Sequence, residues 1–110
     1  MSYSIKVTAN FEKEAKPLIK KYPSFKTDIA KLIYELETNP TLGISLGHNL
    51  FKIRIAISSK GKGKSSGARI ITYVVSKNET VNLISIYDKG EYDTANIDTL
   101  LGILRDEGLE

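Results

Sequence analysis

At 110 residues, with 41% hydrophobic content and 16 Lys plus Arg against 13 Asp plus Glu, the chain has the size and make-up of one globular domain over residues 1–110. The lack of cysteine excludes a disulfide framework and thiol or zinc-ribbon chemistry, and the single histidine, His48, leaves no His–His pair, so neither a metal nor a cofactor is expected. No apolar run is long enough to span a bilayer or to form a secretory signal core, which points to a cytoplasmic protein without a membrane partner.

The first segment, Tyr3 to Thr8, alternates with period two and reads as a short strand. Asn10 is a candidate cap for a following helix, with Glu12 and Glu14 in the first turn, where the helix dipole favours acids. Phe11, Ala15, Leu18, Ile19 and Tyr22 then fall at offsets 0, 4, 7, 8 and 11, the apolar stripe of a helix. Pro17 removes a bond to the Lys13 carbonyl, so a kink or a late helix start is expected there. Tyr22-Pro23-Ser24 breaks this helix, and Ser24 can cap a second in which Phe25, Ile29, Leu32, Ile33 and Leu36 repeat the same offsets. Matching stripes with a short connection predict an antiparallel helical hairpin on a common core. The second helix ends near Asn39-Pro40, and Thr41 to Asn49 reads as a glycine-containing loop.

Phe51, Ile53, Ile55 and Ile57 alternate with Lys52, Arg54, Ala56 and Ser58, the clearest strand in the sequence. Ser58 to Gly67 is a basic connection of lysines and glycines. Ala68 to Ser76, apolar on both faces, predicts a central strand. Lys77-Asn78-Glu79 predicts a turn into a strand over Thr80 to Tyr87, and Ile97, Leu100, Leu101 and Leu104 mark one amphipathic helix at the end. The fold class is therefore α+β: a helical hairpin on a small twisted antiparallel sheet, in the order β-α-α-β-β-β-α.

Charge is unevenly distributed along the chain. Lys52, Arg54, Lys60, Lys62, Lys64 and Arg69 fall within residues 50–70 with no acid among them, whereas residues 88–110 hold seven acids against Lys89 and Arg105. A local basic patch is either a solvated loop or a surface for a polyanion. Lys52 and Arg54, two apart on a strand, project from one face, and Arg69 begins the neighbouring strand. With Tyr87 and Lys89 at the end of the next, four cations and a tyrosine are expected on one open, concave sheet face. Such a cluster, without His, Cys or metal carboxylates, suits one reaction well. The 2′-hydroxyl of RNA can attack the adjacent phosphate, and guanidinium groups stabilise the charge that builds on phosphorus. A lysine crowded by other cations can act as base near neutral pH, and a tyrosine can stack on a base or relay a proton.

At this point the sequence resembles a known family. The element order, together with Leu46-Gly47-His48-Asn49-Leu50-Phe51-Lys52-Ile53-Arg54, is similar to the RelE/ParE toxin superfamily of bacterial toxin–antitoxin modules. Ser58 to Tyr73 (SSKGKGKSSGARIITY) and Leu83 to Lys89 (LISIYDK) resemble its HigB-like branch. The resemblance implies ribosome-dependent cleavage of mRNA, inhibition of translation, and neutralisation by a cognate antitoxin. It implies that Lys52 and Arg54 bind or activate the RNA, that Arg69 contacts the transition-state phosphate, and that Lys89 stands near a further family cation that is usually arginine. A tyrosine that the RelE type places further on would fall at Ala95, so Tyr87 or Tyr92 is an inexact substitute and the acid–base assignment stays open. Lys60, Lys62 and Lys64, alternating with glycines, are expected to hold RNA backbone rather than to do chemistry. His48, just before the strand, is either a contributor or a surface residue. The alternatives are a ParE-type toxin that inhibits DNA gyrase by contact alone, and a catalytically inactive RNA-binding domain on the same scaffold.

Overall fold

The structure, a computed structural model, describes residues 2–58, 67–88 and 96–109. Its elements in chain order are β1 (Ser4–Val7), α1 (Ala9–Lys21), α2 (Phe25–Thr38), β2 (Ile44–Gly47), β3 (Leu50–Ile55), β4 (Ala68–Val75), β5 (Thr80–Asp88) and α3 (Ile97–Asp106). The five strands form one sheet in the order β1-β5-β4-β3-β2. The α+β class agrees with the sequence reading, and two details correct it. Within Thr41 to Asn49, expected as loop, lies the short strand β2, paired antiparallel to β3 through Ile44↔Lys52 and Ser45↔Phe51. Three residues between Gly43 and Gly47 are too few to show a period of two. The turn that joins β2 to β3 is His48-Asn49, both with positive φ (54° and 63°), the backbone a tight two-residue hairpin requires. The second correction is that the sheet is mixed: β1 runs parallel to β5, from Ser4↔Thr80 to Val7↔Leu83.

The helix starts also differ from expectation. Thr8, not Asn10, caps α1: its hydroxyl accepts from the Phe11 N–H at 3.2 Å and donates to the Leu83 carbonyl at 2.9 Å, joining the helix start to the sheet. Asn10 instead sits in the first turn and donates to the Ile84 carbonyl at 2.8 Å. α1 runs from Ala9 through Pro17 without a late start, because the bond lost at the Lys13 carbonyl falls where both residues are exposed. Ser24 stands at the cap position of α2 in a helical conformation, and its side chain makes no capping bond.

The α1–α2 hairpin buries Phe11, Leu18, Phe25, Leu32 and Leu36 against Ile53, Ile70, Val74, Val81, Leu83 and Ile86 of the sheet. On the opposite face α3 lays Leu100 and Leu104 over Leu50, Ile71, Ile84 and Tyr87. Ile84 reaches that face through a bulge, since the β4–β5 pairing steps from Ile71↔Ser85 to Thr72↔Leu83. The bulge is held from α1, where Glu14 Oε1 accepts from Ser85 Oγ at 2.7 Å, Asn10 Nδ2 at 2.9 Å and the Ile86 N–H at 3.3 Å. α3 ends at Gly108 (φ 73°), with the Leu109 N–H bonded to the Leu104 carbonyl at 2.8 Å and the Gly108 N–H to that of Arg105 at 3.1 Å. Just before that glycine, the Glu107 carboxylate accepts from the Ala9 and Asn10 N–H groups at 3.3 and 3.0 Å and so ties α3 to the start of α1. Among the described residues no helix is long and apolar enough to cross a membrane.

Candidate nucleic-acid interface

Strand register assembles the site. Arg54 on β3 pairs with Arg69 on β4, which pairs with Tyr87 on β5, so three side chains stand in one row on the α3 side of the sheet. Lys52 lies one pair along on the same face, opposite Ile71. Directly opposed residues have Cβ atoms about 5 Å apart, and like charges so placed repel by roughly 0.2–1 kcal/mol. An anion seated between Arg54 and Arg69 would relieve that repulsion.

Gly67 sets this register. A Cβ on it would lie 2.0 Å from the Ile55 carbonyl oxygen and 3.0 Å from Ala56 Cα, so only glycine lets the start of β4 press against β3 and bring Arg69 opposite Arg54. Asp28 fixes the other end of the same junction. It is buried on α2 and accepts from the Ser58 N–H at 3.0 Å and from Ser58 Oγ at 2.6 Å, which pins the exit of β3 to the helix. Asp28 escaped the sequence reading, although an acid inside the apolar stripe Phe25, Ile29, Leu32 was the available signal.

The expected open face is only partly open. Arg54 is exposed and Lys52 half-buried, but Arg69 is 2% exposed and Tyr87 is 5% exposed. Tyr87 belongs to the apolar cluster beneath Leu100 and Leu104, so the row passes from solvent on β3 to packed interior on β5. The Arg69 side chain folds back on its own strand, with Nη1 donating to the Ala68 carbonyl at 3.3 Å. His48 is six residues from Arg54 at the tip of the β2–β3 hairpin, at the far end of the strand. Lys60, Lys62, Lys64, Lys89 and Tyr92 lie outside the described residues. Among the described residues no group of His, Cys, Asp and Glu could hold a metal ion.

No family model matches the chain. Its fold is that of the RelE toxins. A mutant of E. coli toxin RelE in the free state superposes with a TM-score of 0.64 at 18% identity, covering 96% of this chain and 97% of that one. The isolated E. coli RelE toxin gives a TM-score of 0.60 at 17% identity over 94% and 98% of the two chains. The RelBE2 toxin–antitoxin complex from Mycobacterium tuberculosis gives 0.62 at 15% identity over 80% and 99%. Identities at this level carry the fold and not the roles of residues.

Proposed function

We propose that this chain is the toxin of a type II toxin–antitoxin module in the RelE/ParE superfamily, with its sequence features pointing to the HigB-like branch. It cleaves mRNA on the ribosome, acts in the cytoplasm, and is silenced by a cognate antitoxin. The observation that carries this reading is the pairing of Arg54 with Arg69, beside Lys52, on one face of a sheet with the RelE fold. The reaction is transesterification: the 2′-oxygen forms a bond to phosphorus, the bond to the 5′-oxygen of the next nucleotide breaks, and the products are a 2′,3′-cyclic phosphate and a free 5′-hydroxyl. Arg54 and Arg69 take the non-bridging oxygens, where charge grows most. Lys52, half-buried beside them, is the reachable candidate for accepting the 2′-proton. Tyr87 can return a proton to the leaving oxygen only once it is uncovered. Cleavage also requires that Arg69 be uncovered when the ribosome presents its mRNA, and alignment of the RNA there supplies part of the catalysis.

The same burial of Arg69 favours a second reading, a gyrase-binding toxin of ParE type that needs no accessible arginine. Primer extension on mRNA in a translation extract separates the two. Wild-type protein is expected to give discrete cuts, and Arg69→Ala to lower their rate by roughly 10²–10³ with ribosome binding little changed. Arg69→Lys should recover only part of the rate, because an ammonium lacks the bidentate geometry. Wild-type levels of cutting by a folded Arg69→Ala protein, or no cuts from wild type while gyrase is inhibited, would overturn the cleavage reading.

A further inference from the structure

The arginine row stands at the end of its strands, where pairing frays unless something holds it. Arg54 pairs with Arg69 and Ile55 with Ala68, and with that pair β3 ends. On β5 the row continues to Tyr87, and the next pair, Ala68↔Asp88, takes in the last residue of that strand. Fraying here would part the two arginines, and a slip of one residue would turn them to the other face. Repulsion between the opposed guanidinium groups pushes towards both.

Two buried carboxylates outside the row hold this end. Asp28, 7% exposed in the first turn of α2, accepts from the Ser58 N–H through one oxygen and from Ser58 Oγ through the other. Asp88, 3% exposed, accepts from the Tyr22 hydroxyl at 3.3 Å. Tyr22 and Asp28 flank the turn between α1 and α2, so one turn of the hairpin grips the exit of β3 and the last residue of β5. The link from the arginine pair to the Asp28 clamp is short and packed, since Ile57, between Ile55 and Ser58, is 1% exposed in the hairpin core. A buried acid is costly unless it is fully hydrogen-bonded. Packing of the helices alone would be served by an apolar residue in this stripe, so the acid points to what it holds.

We propose that Asp28 is a positioning residue for the RNA site: by clamping Ser58 it fixes the end of β3, and with it the spacing of Arg54 and Arg69. It acts through the strand and touches no RNA itself. Because both of its oxygens are turned to Ser58, it holds the arginines in place without neutralising them. The inference deepens the proposed function and rests on that reading for its effect on rate. Misplacing a catalytic group by about 1 Å costs on the order of 10²-fold in rate. Ribosome affinity sums many phosphate contacts and changes little when one strand end loosens. An asparagine can stand in for the carboxylate, because its Oδ1 accepts from the Ser58 N–H while the Ser58 hydroxyl turns to accept from its amide. An alanine can do neither.

The test compares Asp28→Asn, Asp28→Ala and Ser58→Ala with wild type, each well below its own melting temperature. In the isolated, isotope-labelled protein, Asp28→Ala should speed amide exchange at Ile55 and Ala68 by about tenfold relative to Phe51 and Thr72, a pair further along the same strands. In a translation extract, Asp28→Ala should lower kcat for mRNA cleavage by about 10–100-fold and leave KM within about twofold. Asp28→Asn should recover most of that rate. Ser58→Ala, at an exposed position, keeps the N–H bond and should fall between the two. If Asp28→Ala does not fold, Ser58→Ala decides by the same two readouts. Exchange raised equally along both strands, a change in KM alone, or an asparagine variant as slow as the alanine one would overturn the proposal. Absence of cuts from wild type would overturn the proposed function instead, and the exchange pattern, read without ribosomes, would then decide the clamp by itself.

Discussion

The two faces of the sheet are built differently. The hairpin face is covered from β1 to β3 by two helices, and it takes in Phe25 and Leu36 without exposure. The α3 face is covered only over β5 and its neighbours by one helix of ten residues, and beyond it the side chains turn from Tyr87 and Ile71 to Arg54 and Lys52. The first face is a core. The second begins as a core and ends as a basic surface, with Arg69 at the seam. A site placed there draws rigidity from the packed half and access from the open half, and the reach of α3 decides how much of the row is available.

The largest effect that would sharpen this contrast comes from matched truncations. Phe25→Ala should destabilise by about 3–5 kcal/mol and Leu104→Ala by about 2–3 kcal/mol, because the short α3 layer can settle into the space. Chemical denaturation gives both numbers. Amide exchange should then show α3 opening at lower free energy than α2, since fewer apolar contacts hold it. Equal protection of the two helices would break the comparison and make the second face as permanent as the first.

Glu14 ties the two faces together, because its carboxylate holds the bulge that sends Ile84 to the α3 side. Glu14→Ala leaves three partly buried donors to find other partners and should destabilise by about 1–3 kcal/mol. The Ile84 and Leu100 resonances should shift more than those of Phe25. A change confined to the hairpin face would show that the bulge is set by the strands and not by this contact.

On the open half, Arg54→Ala should weaken binding to ribosomes several-fold, on the order of 1 kcal/mol, and lower the salt slope by about one. Melting temperature should stay near wild type, because the side chain is exposed. An unchanged slope would mean that Arg54 meets no phosphate and that the basic half of the face is only a solvated surface.

Much of this was legible in the sequence for identifiable reasons. The helical hairpin followed from two identical stripes, and the shared face of Lys52 and Arg54 from strict alternation on β3, whereas Arg69 joins them through the β3–β4 register. The parallel pairing of β1 was not legible, since Ser4 to Val7 carries no mark of its partner. β2 was too short to show a pattern. The burial of Tyr87 was hidden because it depends on where α3 lands, and the stripe Ile97, Leu100, Leu101, Leu104 says only that the helix has an apolar side. Gly67 looked like one more glycine of the basic connection, and only the structure shows that the Ile55 carbonyl needs its missing side chain.

The smallest effect tests what holds α3 down. Glu107 places a carboxylate on the first N–H groups of α1, where the dipole of that helix favours negative charge. Glu107→Gln keeps the shape and one acceptor but removes the charge, so the loss should be about 0.5–1 kcal/mol and should shrink in high salt. Glu107→Ala should lose more, and its deficit should persist in salt because the acceptor itself is gone. Since Tyr87 lies under the same helix, both variants should raise amide exchange in α3 before they alter exchange in α1 or α2. If Glu107→Gln is as stable as wild type at low salt, the charge contributes nothing; if Glu107→Ala is as stable too, the tie to α1 contributes nothing and the packing of Leu100 and Leu104 is what holds α3 down.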